Sequence, residues 1–159
     1  MNQRNLISGW MLASLFGLVL TWSGGNCFAA DQSIRWQPFE SGLAAGERED
    51  KKIFLHFYAD WCRYCKIMQK ETFTDPAVIQ YLNEHFIAIK INSEQDKERA
   101  REYRVSGLPT TWFLSQSGEK IGNRPGFIPA KDLLSFLKYV SSNSYKTMSL
   151  KTFMDQSRE

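Results

Sequence analysis

The chain is poor in the residues that staple small proteins or load them with metal: it has three cysteines, two histidines and five prolines in 159 residues. So few thiols exclude the multi-disulfide framework of small secreted domains. No sign of charge dominates: the net charge is +3, which gives no strong pull toward nucleic acid, and no nucleic-acid partner is expected. Internal repeats and low-complexity tracts are lacking. The apolar stretch Leu6 to Trp22 is only seventeen residues long and is interrupted by Ser8, Gly9, Ser14 and Thr21, which is short and polar for a membrane span. What remains is a chain long enough for one domain with a real core.

The N-terminus has its own logic. Arg4 supplies a charged start without any acid, Leu6 to Trp22 an apolar middle, and Ser23-Gly24-Gly25-Asn26-Cys27-Phe28-Ala29 a small-residue exit. This order is that of a secretory signal peptide, with cleavage expected after Ala29. An uncleaved N-terminal anchor is the alternative, and it fits the length and flanks less well. Lipid attachment at Cys27 lacks the aliphatic residue that should precede the cysteine. The expected organisation is therefore a signal peptide over 1–29, a domain over 30–140 and a polar extension over 141–159. Loss of the leader removes Arg4 and takes the net charge from +3 to +2. It also leaves Cys62 and Cys65 as the only thiols.

Along the mature chain, hydrophobic periodicity alternates between strand and helix. Ser33 to Phe39 reads as a short edge strand, since Pro38 is tolerated only at an edge. Glu40 to Lys52 reads as a short helix with a small-residue patch at Leu43-Ala44-Ala45. Ile53 to Ala59 is apolar almost throughout, as a central strand covered on both faces should be. A helix from Cys62 to about Thr72 follows, and Asp75-Pro76 opens another. Phe86 to Ile91 is the next strand, and Ser93 with Asp96 caps a helix to about Tyr103. Thr110 to Leu114 and Lys120 to Asn123 form a hairpin, and a last amphipathic helix begins at Pro129. The pattern predicts an α/β fold with a central mixed sheet flanked by helices on both faces.

The chemistry concentrates at Trp61-Cys62-Arg63-Tyr64-Cys65, where the central strand runs into a helix. Thiols at i and i+3 on a first helical turn lie within the distance a disulfide demands. Unpaired N–H groups and the helix dipole there stabilise an anion, so Cys62 is expected to react as thiolate, helped by a cation at Arg63. Cys65, one turn deeper, is expected to be the more shielded, resolving thiol. Trp61 is expected to shield the pair and line a docking surface, with Tyr64 exposed beside it. Asp60 reads as a solvated or capping acid, and His85 as a surface residue without a role.

Phe57-Tyr58-Ala59-Asp60-Trp61-Cys62, Thr72-Phe73-Thr74-Asp75-Pro76 and Gly107-Leu108-Pro109-Thr110 together resemble the thioredoxin fold. They are similar in particular to the C-terminal thioredoxin-like domain of the periplasmic reductase DsbD and its free-standing secreted relatives. The resemblance spans roughly Ile34 to Val140. It implies a cis bond between Leu108 and Pro109 beside the cysteines, where the Leu108 backbone can pair with an extended substrate segment. It implies catalytic roles for Cys62, Cys65 and Pro109, and substrate contacts at Trp61, Arg63, Tyr64, Gly107 and Leu108. It also implies a periplasmic location.

His56 stands where thioredoxins commonly place a buried acid, and Lys90 matches the family's lysine on the neighbouring strand. Burial and that cation should hold the imidazole neutral, a ring that can still accept a proton from the second thiol. The reaction implied is reduction of protein disulfides through the Cys62–Cys65 dithiol, with no cofactor, no metal and a membrane-embedded thiol protein as electron donor. The chain is expected to work as a monomer. A disulfide oxidase or isomerase shares the same motif, and His56, Cys62, Cys65 and His85 compose, on paper, a soft-metal set for a copper-handling protein.

Overall fold

The computed structural model describes residues 33–156, so the expected leader and its cleavage point lie outside the described residues. Five strands form one sheet in the order β1-β3-β2-β4-β5. They are β1 (Trp36–Gln37), β2 (Lys52–Tyr58), β3 (Phe86–Asn92), β4 (Thr110–Leu114) and β5 (Lys120–Pro125). The first three run parallel, while β4 is antiparallel to β2 and β5 to β4. The edge strand is shorter than expected because Pro38, which has no N–H to donate, is the N-cap of α1 (Phe39–Glu49).

One sheet face carries Phe54 and Ala88, buried under α2 (Arg63–Glu71), α3 (Pro76–His85) and α5 (Ala130–Ser141) through Met68, Val78, Leu82, Leu133 and Leu137. The opposite face carries Ile53, Leu55, Phe57 and Ile89, covered by Ala45 of α1 and by Tyr103 at the end of α4 (Lys97–Glu102). Alternation along β2 thus sends Phe54 and His56 to one layer and Leu55 and Phe57 to the other. The buried side of α1 is Gly42, Ala45 and Gly46, with Leu43 packed partly buried beside them. A Cβ built on Gly42 would stand 2.6 Å from Ile89 Cγ1 and Cδ1, so glycine is what lets this helix sit close on β3.

Caps set the helix boundaries. Asp75 accepts from the N–H groups of Ala77 and Val78 at 2.9 and 3.1 Å, ahead of Pro76 at the first helical position. Asp96 caps α4 by accepting from Arg99 N at 3.0 Å. Ser93 does not cap: its amide donates to Tyr58 O at 2.9 Å, and its Oγ is buried without a partner. Beyond α5, a 3-10 turn at Ser144–Lys146 and α6 (Leu150–Gln156) fold back on α5. There Tyr139 donates its hydroxyl to Met148 O at 2.6 Å and packs on the Phe153 ring. Among the described residues no helix is long and apolar enough to cross a membrane.

Candidate active site at the start of helix α2

Cys62 and Cys65 are joined by a disulfide with their Cα atoms 5.3 Å apart, well inside the usual range for such a bond. Cys62 is the N-cap of α2, with extended backbone (φ −70, ψ 110), rather than part of its first turn. Its Sγ accepts a hydrogen bond from Cys65 N at 3.1 Å. A sulfur in the N-cap position takes the place of the usual Ser or Asp oxygen, so a helix N–H points directly at the atom that carries charge in the reduced state. The first turn of α2 contains no acid to oppose that charge.

Cys65 is not the more shielded thiol. The two cysteines are 4% and 5% exposed; they form one small buried cluster with Ala59, against which Tyr58 and Leu108 pack. Nor is Trp61 their shield, since 66% of its surface is exposed. It stands out beside the disulfide with Arg63 and Tyr64, both also exposed.

The Gly107–Thr110 loop faces the same place. The Leu108–Pro109 peptide bond is cis, Pro109 is buried, and Leu108 is half-buried against the disulfide. Thr110 donates its hydroxyl to Gly107 O at 2.7 Å, and Gly126 N donates to Pro109 O at 2.7 Å, which ties the loop to the start of β4 and the end of β5. Gly107 is exposed, and a Cβ there would meet nothing within 4 Å.

On the inner side of the pair, a cleft of about 220 Å³ brings Cys65 together with His56, Lys90, Gln69 and Asp60. His56 and Lys90 are directly paired across β2 and β3. His56 is 1% exposed, its ring lies among Phe54, Phe73 and Trp36, and its Nδ1 shares a hydrogen bond with Thr111 Oγ1 at 3.2 Å. Burial, and secondarily repulsion from Lys90, push its pKa down to about 3, leaving a neutral ring. Lys90 donates to Gln69 Oε1 at 2.9 Å and lies 4.4 Å from the Tyr58 ring centre. Burial lowers its pKa too, and Asp60 partly opposes this. Asp60 in turn accepts from Asn92 Nδ2 at 3.1 Å.

Sequence reasoning did not single out Gln69 or Thr111. Gln69 follows Cys65 by four residues, a helix spacing that puts both on one face. Thr111 is found only from the β2–β4 register, which sequence alone does not fix. The four soft ligands are not assembled. His85 lies exposed at the end of α3 against the Tyr81 ring, and among the described residues no three His, Cys, Asp or Glu side chains gather in a metal-binding group.

Comparison with known proteins agrees with this geometry. Over 131 residues the chain is 34% identical to the thiol:disulfide interchange protein DsbD of Actinobacillus pleuropneumoniae, covering 74% of this chain but only 22% of that protein. The chain therefore spans about a fifth of the curated relatives it matches. Among solved structures, a Thermus thermophilus thioredoxin superposes with a TM-score of 0.62 at 30% identity, covering 68% of this chain and 87% of its own. A disulphide-isomerase-like protein of Bacteroides thetaiotaomicron does so with a TM-score of 0.60 at 32% identity, covering 70% and 95%. The thioredoxin-like domain family profile matches residues 39–141, and with the CxxC disulfide at the head of α2, the chain belongs to that family.

Proposed function

We propose that this chain is an exported thiol:disulfide oxidoreductase that reduces disulfides of other proteins in the periplasm. The observation that carries the reading is the Cys62 sulfur held as a helix N-cap beside the cis Leu108–Pro109 loop. In the reduced protein the Cys62 thiolate attacks a substrate disulfide, forming a mixed disulfide and releasing one substrate thiolate. Cys65 then attacks Cys62 Sγ, releasing the second substrate thiolate. The protein ends with the Cys62–Cys65 disulfide and the substrate with two more electrons. No cofactor is needed, and electrons return from another dithiol, which the likeness to DsbD suggests is membrane-embedded.

Pro109 and the Leu108 backbone receive the substrate strand, with Gly107, Trp61, Arg63 and Tyr64 around it. Lys90, in the cleft with Cys65, stabilises the second thiolate. His56, at a pKa of about 3, is far too weak a base to hold a thiol proton whose ordinary pKa is about 8.5. It acts as a positioning residue, and the proton of Cys65 leaves through the cleft to water. The test is covalent trapping. Reduced Cys65→Ser protein should accumulate mixed disulfides with a model substrate such as insulin, whereas Cys62→Ser should form none. Equal trapping by both variants would overturn the role assignments.

A further inference from the structure

We propose that the groove on the outer side of the disulfide, between Trp61 and helix α4, selects substrates whose cysteine lies on an extended, acidic segment; the inference rests on the thiol-exchange reading of Cys62. The groove has a volume of about 390 Å³ and is bordered by Trp61, Val105 and Leu108 on its apolar side and by Lys97, Arg101 and Arg104 on its charged side. Leu108 also packs against the cysteines, so an occupant of the groove lies next to the reacting sulfurs.

Helix α4 divides its charges. Arg99 is neutralised by Glu40, Asp96 and Glu102. Lys97, Arg101 and Arg104 have no ion-pair partner among the described residues, and the groove wall contains no carboxylate. Lys97 and Arg101, at i and i+4 on α4, repel each other, and Arg104 stands just beyond the helix end, so the groove presents three cations to an occupant.

Spacing narrows the chemistry further. Lys97 and Arg101 are separated by about 6 Å along the helix. Alternate residues of an extended chain, which point to the same side, are about 6.7 Å apart. Two carboxylates two positions apart in a substrate strand therefore match the two cations. Such complementarity acts chiefly on encounter rate and selectivity.

The experiment uses reduced Cys65→Ser protein and three peptides whose single cysteine is held as a mixed disulfide with a coloured thiol. Their flanks are acidic at alternate positions, neutral or basic. Attack by Cys62 forms the protein–peptide disulfide and expels the coloured thiolate, which reports the second-order rate. The acidic peptide should react roughly tenfold faster than the neutral one at low salt, given two exposed ion pairs of ordinary strength. The ratio should fall toward one at about 1 M salt. Lys97→Glu with Arg101→Glu should invert the order so that the basic peptide is fastest, a gain that a misfolded protein cannot show. Equal rates for all three peptides would overturn the proposal while leaving thiol exchange intact. Rates no higher than those of free cysteine would overturn the exchange reading itself. Binding of wild-type protein to anionic vesicles, lost in the charge-reversed variant and unaccompanied by peptide selectivity, would make a membrane the occupant and refute the substrate proposal.

Discussion

Burying a neutral histidine in the sheet makes the fold acid-sensitive at a pH where carboxylates are still ionised. In the unfolded chain His56 takes up a proton near its ordinary pKa of about 6.5, but in the folded protein only near 3. Between those values protons bind the unfolded chain in preference, so stability is complete above about 6.5 and is lost as the pH falls toward 3. The full difference is about 5 kcal/mol, and the part lost by pH 5 is about 2 kcal/mol. Against a total stability of about 5–15 kcal/mol for a typical domain, that is a large fraction. The assay is urea unfolding of the oxidised protein at pH 7, 6 and 5, compared with His56→Asn. Asparagine keeps a polar atom for Thr111 and removes the titrating ring. The variant should be less stable at pH 7, since it leaves a void among Phe54, Phe73 and Trp36. It should nevertheless lose about 2 kcal/mol less than wild type between pH 7 and pH 5. Parallel pH profiles for the two proteins would refute the reasoning.

Three further outcomes follow from packing and charge. Lys90→Gln removes the cation that repels protonated His56, so the native pKa of His56 should rise; the same unfolding series carried down to pH 4 and below should show a smaller stability loss than wild type there, with little difference at pH 5. Gly42→Ala drives a methyl into Ile89, which is fully buried; a loss of about 1–3 kcal/mol in urea unfolding is expected, with α1 displaced from β3. Thr72→Val removes the hydroxyl that donates to Ile128 O at 2.7 Å in the core, and should cost about 1–3 kcal/mol by leaving that carbonyl unpaired.

Local chemistry made much of this architecture legible in the sequence. The near-continuous apolar run of β2 identified the central strand, and Asp75-Pro76 marked the start of α3 because the cap and the proline act on adjacent residues. The cysteine spacing and the family motifs located the site. What was not legible depends on long-range geometry. Cys62 caps α2 rather than entering it, a difference of one backbone conformation that aims a helix N–H at the sulfur. The two cysteines are almost equally buried, in a cluster against which Leu108, far away in sequence, packs. The close seat of α1 depends on Gly42 and Gly46, which hydrophobic patterning passes over since neither contributes apolar side-chain surface. The charge division of α4 required knowing which of its basic residues Glu40 reaches.

The central claim, that the Cys62–Cys65 pair donates electrons, is tested most directly by its reduction potential, measured by equilibration against defined ratios of reduced and oxidised glutathione. A donor to protein disulfides should lie near the potential of thioredoxin, about −270 mV, whereas a strong oxidant such as DsbA lies near −120 mV. The account predicts a value close to the former. A value close to the latter would make the protein an acceptor of electrons and contradict the reductive direction.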